Sequence, residues 1–394
     1  MDTLLIASIA LMGVVGAVSY PDCQAVAPHQ KTLNDVRTAN ISAPASPFGL
    51  IFSKQSDRAF VALNTTLGVL DTSSLKPKLM HQIPVPAEYL DPSGVKAISL
   101  THDGRYVIAS TYIGAVIVNV EKAVVGSSDA FAGALVGTAG NSSMQVTITA
   151  DDKYAIVSQE YGISDGIGAL EVFKLHEPTG YGSGNVTSTY VGALFLGRAV
   201  LGTALSSDGR TLYATSELAV TDTQIGANGS ARGNLSVIDV ETLKTDPSKA
   251  LLHNVPAGCD PVRVSVAPDS SVWVTARQSN HLLAYDAKKL LSQPEKALIA
   301  SVQVGTAPVG LIFVSSKHGS RILTADSNRF DQLTTTGISV VDWRAALRGK
   351  PAGLGKIPTG LFPREFAISP DGRTVLVADF DSSQVQAIDV DSLP

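Results

Sequence analysis

Seven polar residues, Asn64, Thr111, Gln159, Ser216, Arg277, Asp326 and Asp379, close seven similar runs of apolar and β-branched residues. A second recurring place carries pairs: Phe48 and Gly49, Lys96 and Ala97, Met144 and Gln145, Leu201 and Gly202, Val262 and Arg263, Val309 and Gly310, Arg364 and Glu365. Most of these are small or apolar. Lys96, Gln145, Arg263, Arg364 and Glu365 therefore stand out, because a charge in a narrow apolar space is costly unless it is paired, wetted or used. Arginine and lysine donate to a polarised carbonyl, and a carboxylate orients an arginine or takes a proton. Arg263, Arg364 and Glu365 are the expected catalytic residues, with Lys96, Tyr112, Gln145, Gln159, Arg277, Asp326, Asp379 and Phe380 as expected substrate contacts. The structural alternative is ion pairing, Arg364 with Glu365 or Arg263 with Asp379. Glu160, Tyr161, Glu217 and Gln278 follow the same runs and are placed to form walls.

These places belong to a repeated phrase, clearest in "ALSSDGRTLYATSE" (204–217) and "AISPDGRTVLVADF" (367–380). Aligned turns fall at Asp103, Asp151, Asp208, Asp269 and Asp371, with looser copies in "FSKQSDR" and "VSSKHGS". Each copy ends on "GVLD", "AVIVN", "ALEVF", "LSVID", "LLAYD", "ISVVD" or "VQAID". A unit of roughly fifty residues built from short β-branched runs and Asp-Gly turns predicts an all-β, seven-bladed β-propeller of four-stranded antiparallel blades. In "SPDGR" the Pro sets φ and the Gly accepts a positive φ, as a tight turn between two strands requires. The last copy stops after its third strand at Pro394, so the stretch near Leu33 to Ile41 is expected to supply the missing outer strand. That closure leaves no free sheet edge. The predicted organisation is 1–19 signal peptide, 20–45 N-terminal arm and closing strand, and 46–394 propeller.

The N-terminal segment and the sequons point to a secretory route. Leu4 to Val18 is an apolar or small-residue run followed by "AVSYP", with Ala17 and Ser19 at the small positions a signal peptidase needs; the segment carries Asp2 and no Lys or Arg. It is too short to favour a membrane span, so no stable membrane insertion is expected. Six of eleven Asn residues, Asn40, Asn64, Asn141, Asn185, Asn228 and Asn234, lie in Asn-x-Ser/Thr sequons, against about two by chance. Cys23 and Cys259 are the only cysteines, and an even pair in an oxidising compartment is expected to form a disulfide. Two separate buried thiols are the alternative.

Several chemistries are disfavoured. A net charge of −5 with no basic stripe argues against nucleic acid as a partner. The seven His residues are scattered, without metal-ligand spacing. No Gly-x-Ser-x-Gly elbow, phosphate loop or dinucleotide fingerprint occurs, so no cofactor is expected; carboxylates spread around the ring leave a Ca²⁺ site open.

The segments "FPREFAISPDGRTVLVADFDSSQVQAIDV" (362–390) and "GNLSVIDVETLK" (233–244) resemble the YVTN and lactonase-like seven-bladed propellers over nearly all of the chain beyond residue 19. That resemblance implies the fold. Lactonases of this superfamily act on cyclic esters through channel-facing His, Arg and Glu; here no His stands at any of the recurring places named above. In layout the chain is also similar to the secreted fungal hetero-Diels–Alderases of tropolone sesquiterpenoid pathways. This implies a cofactor-free join of a quinone-methide-like diene to an alkene of a macrocyclic terpene. Such a reaction needs two apolar partners held face to face, with donors on a carbonyl. Three readings follow: a cyclase or cycloaddition enzyme acting on a small terpenoid or polyketide-like substrate, a lactonase or related hydrolase, and a non-catalytic secreted binding propeller.

Overall fold

The computed structural model describes residues 18–23, 25–55, 57–162, 166–176, 185–219, 232–329 and 336–394. Most of the expected signal peptide, 1–17, and the sequon at Asn228 lie outside the described residues. The strands form five four-stranded antiparallel sheets and one seven-stranded sheet. In the larger sheet, Thr187–Leu205 pairs with Ile167–His176 along its first part and with Thr211–Leu218 along its second. It is the outer strand of one unit and the inner strand of the next, so the sheets resolve into seven four-stranded units.

The inner strands are Pro47–Phe52, Ile98–Leu100, Ser143–Ile148, the second half of Thr187–Leu205, Pro261–Val266, Pro308–Ser316 and Pro363–Ile368. Each packs on the next and the last packs on the first, which closes a ring around a channel. Thr38–Ser42 pairs with Gln384–Asp389 and completes the final blade. The closing strand therefore starts five residues later than the stretch beginning at Leu33.

Local chemistry explains the recurring letters. In the tight turns Asp103, Asp208 and Asp371 accept from the backbone N–H two residues on, and Gly104, Gly209 and Gly372 hold positive φ of 80°, 69° and 72°. The closing Asn or Asp of the phrase is a helix cap: Asn119, Asp239, Asp286 and Asp342 accept from backbone N–H groups of Val120–Val124, Val240–Leu243, Ala287–Ser292 and Trp343–Leu347. These short helices turn the chain from third strand to fourth. Between blades the packing is apolar, as with Trp273, Phe313 and Trp343, whose rings meet edge to face.

The N-terminal arm acts as a belt. Cys23 is bonded to Cys259 with Cα atoms 5.5 Å apart, closing a separation of 236 residues. Beyond it, Asn280 and Gln303 donate to the carbonyls of Ala25 and Val26, Gln30 meets Ser339, and Thr32 bridges Lys356 before the closing strand begins. Among the described residues no helix is long and apolar enough to cross a membrane.

Candidate functional site in the channel

Six of the seven pairs at the mouths of the inner strands sit at a shared irregularity, which the strand after Lys96 and Ala97 lacks. The ladder between first and second strands shifts register between Pro47 and Leu50, Ser143 and Gln145, Val200 and Thr203, Pro261 and Val264, Pro308 and Leu311, and Pro363 and Phe366. One extra residue per strand is a β-bulge, which bends the strand and re-aims its side chains. In four of the pairs the two members part company along the channel. Phe48, Lys96, Met144 and Arg364 line an upper cavity of about 650 Å³. Gly49, Ala97, Gln145, Arg263 and Glu365 line a lower one of about 260 Å³. A side recess of about 80 Å³ leads from Met144, Phe362 and Arg364 past Glu217 and Arg277 to Arg263, which separates it from the lower cavity.

In the lower cavity the two charged groups are paired. Arg263 Nε donates to Glu365 Oε1 at 2.8 Å, and Nη2 lies 2.5 Å from the same oxygen. The expected pairings of Arg364 with Glu365 and of Arg263 with Asp379 are not the ones formed: the bulge sends Glu365 down to Arg263 and leaves Arg364 above. Gln145 exchanges two hydrogen bonds with the backbone of Thr203, at 2.9 and 3.0 Å.

The upper cavity is built differently. Arg364 stacks in a cage of phenylalanines, its Cζ 3.9, 4.7 and 5.3 Å from the ring centres of Phe48, Phe362 and Phe380. Burial, with Arg263 nearby, pushes its proton affinity down to about 9, so it is a cation at neutral pH. Lys96 donates to Ser142 Oγ at 3.0 Å, and Ser142 donates to Glu160 Oε2 at 3.1 Å. Burial lowers the Lys96 pKa, against the opposing pull of Glu160 and Asp91. Phe362 holds φ 51° immediately before Pro363, a strained conformation for a bulky residue, and it sets the ring over Arg364.

In the side recess Arg277 pairs with Glu217 at 2.6 Å and lies 3.5 Å from Asp260. Burial raises Glu217 to about 7, with Arg277 opposing. Tyr161 is pushed up to about 12 by burial and by Glu160.

The polar residues after the second strands divide by register. The first residue of the inner strand, or its neighbour, faces Leu63, Gln159, Ser216, Ala276, Asp326 and Asp379 across the ladder. Side chains at this position turn into the blade. Gln159 accepts from Ser142 N and Ser143 Oγ and donates to Glu171, and Asp379 accepts from Thr359, Gly360 and Gln384. Asp326 accepts from Ser339 Oγ at 2.7 Å, and burial pushes it up to about 8. Thr111 and Ser216 are buried as well. Gln159, Asp326 and Asp379 thus serve the blades and lie outside the cavity linings. The lining position is one residue later, where Asn64, Glu160, Glu217, Arg277 and Phe380 stand. Tyr112 occupies it too, but is exposed, and both it and Gln278 lie outside the linings.

The fold has parallels in solved structures. The chain aligns over 98% of its length with 99% of a chain in the crystal structure of a mitotic checkpoint complex, at TM-score 0.63 and 16% identity. It aligns over 96% with 99% of a chain of the hydrazine synthase of Kuenenia stuttgartiensis, at TM-score 0.62 and 14% identity. Both are β-propeller proteins, and likeness at this level concerns the fold alone. No protein-family model matches the sequence, and no curated protein does.

Several lining residues escaped the sequence reading: Ser46, Asp91, Ser93, Asn141, Ser142, Arg329 and Phe362. Phe362 carried a usable signal, since it precedes the Pro that opens an inner strand, as Asp260 and Ala307 do, all three at φ near 50°. Two sequons, Asn64 and Asn141, sit at the cavity wall; Asn40 and Asn185 are exposed and Asn234 is partly buried. Among the described residues no group of three or more His, Cys, Asp or Glu is arranged to hold a metal ion.

Proposed function

We propose that the upper cavity is the active site of a cofactor-free enzyme that joins two apolar natural-product partners by hetero-Diels–Alder cycloaddition. The observation that carries this reading is the Arg364 cradle. A buried cation stacked between Phe48, Phe362 and Phe380 opens into a cavity large enough for a small polycyclic ligand. In the reaction, a carbonyl oxygen and the terminal carbon of a quinone-methide-like diene form one C–O and one C–C bond to an alkene. Nothing leaves and no electron is exchanged. Arg364, with Lys96 across the cavity, donates to the carbonyl oxygen as charge develops on it, while the aromatic wall holds the two partners face to face.

The test is an incubation of the purified protein with an ortho-quinone methide released in situ and a macrocyclic alkene, read by chiral chromatography. The expected result is one stereoisomer, formed faster than with heat-denatured protein. Equal rates and a racemic adduct in both incubations overturn the proposal.

A second reading, lactone hydrolysis, draws on Glu217, which is poised near neutrality in the side recess and suited to take a proton from water. Release of acid from γ-lactones that is lost in Glu217→Gln supports it. We further propose that the chain follows a secretory route, in keeping with its disulfide and the exposed sequons Asn40 and Asn185.

A further inference from the structure

Arg364 differs from the other buried cations of the channel in what it lacks. Arg263 has Glu365, Arg277 has Glu217 and Asp260, and Lys96 reaches Glu160 through Ser142. Arg364 is 9% exposed and no described residue forms an ion pair with it; its Nε is buried without a hydrogen-bond partner, as is Arg263 Nη2, so what sets Arg364 apart is the missing carboxylate. Stacking rings compensate only the faces of a guanidinium, because the attraction is between cation and π cloud. The N–H edge is still left to be satisfied, and an unmet buried donor is costly. Arg364 lines both the upper cavity and the side recess.

The surrounding charge has the same sign. Lys96, Arg329 and Arg364 line the upper cavity against Asp91 and Glu160. Both acids have work already: Asp91 accepts from the Ser93 and Gly94 backbones and from Ser93 Oγ, and Glu160 holds the Ser142 relay to Lys96. Phe362 is strained into place over the guanidinium, which fixes the fork before any ligand arrives.

We propose that the upper cavity takes a planar organic anion, with a carboxylate or ionised enol oxygen on the free edge of Arg364 and a flat conjugated body against Phe48, Phe362 and Phe380. This deepens the cycloaddition reading by giving the diene partner an acidic oxygen conjugated with its reactive carbonyl. A guanidinium edge binds two oxygens in one plane, so it selects for a flat bidentate acceptor over a single alcohol or ether. The aromatic cage continues that plane, so the acid group and the ring system of the ligand are recognised together.

The test uses 2-naphthoate and its neutral counterpart 2-naphthamide as probes, titrated into the full-length protein by calorimetry. Wild type is expected to prefer naphthoate by about tenfold or more, because the charged pair is formed out of water. Arg364→Met should erase that preference while leaving naphthamide affinity within about twofold, since the apolar wall stays. Arg364→Lys, which keeps the charge but loses the planar fork, should fall between the two and serves if the Met variant does not fold. Equal binding of the two probes to wild type, no measurable naphthoate binding, or a preference that survives Arg364→Met overturns the proposal. So does a preference removed by Lys96→Met and not by either Arg364 variant. Neither probe can undergo cycloaddition, so naphthoate preference without adduct formation would sink the reaction and leave the anion site standing.

Discussion

The upper and lower cavities are lined by neighbouring residues of the same bulged strands, yet they solve the problem of buried charge in opposite ways. Below, Arg263 and Glu365 neutralise one another and Gln145 is tied to the Thr203 backbone. Above, Arg364 has only aromatic faces around it. A charge pair fixes the structure, whereas a cation without a counter-ion beside a cavity is the arrangement on which the proposed ligand site rests. That contrast is why the proposed ligand site is put in the upper cavity.

The sharpest way to break this contrast is to exchange the roles of the two arginines. Arg263→Met leaves the partly buried Glu365 without its partner and should cost about 1–3 kcal/mol of stability in urea unfolding, with most of it recovered in the double variant Arg263→Met, Glu365→Met. If Arg263→Met is as stable as wild type, the lower pair is not structural. Arg364→Met should do the reverse, lowering turnover by about a hundredfold, roughly 2.7 kcal/mol, while the urea midpoint holds or rises. A folded Arg364→Met variant with wild-type rates places the chemistry elsewhere.

Smaller effects refine the picture. Phe380→Ala removes one face of the cage, and ligand affinity should fall by about 0.5–2 kcal/mol with little change in the fold, as measured by calorimetry and thermal unfolding. An equal loss from an apolar substitution in the lower cavity, such as Leu311→Ala, would show that the cage has no special role. The least effect is electrostatic. Burial raises Glu217 above its ordinary value of 4.5 to about 7. Between those values the folded state binds more protons than the unfolded one, so the contribution of this group is fully present below about pH 4.5 and is lost as pH rises through about 7. Glu217→Gln should flatten that part of the pH–stability curve, whereas Gln145→Ala in the lower cavity should leave its shape unchanged.

The sequence by itself determined the repeat, its turns and its caps, because each rests on short-range chemistry. Asp-Gly at Asp208 and Gly209, the capping Asp239, and the Pro that opens four of the seven inner strands act within three or four residues of themselves, so their letters carry their conformations. The disulfide partners were legible because only two cysteines exist. Tertiary structure decided what each charged residue faces. Side chains in a strand alternate with a period of two, so an offset of one residue moved the lining from Gln159 and Asp379 to Glu160 and Phe380. A bulge breaks that alternation without changing the composition around it, and it sent Arg364 upward and Glu365 downward. Whether Arg263 or Arg364 would be the paired one depended on the distance between the fifth and seventh blades across the channel. Ring closure sets that distance, and no local run of residues contains it.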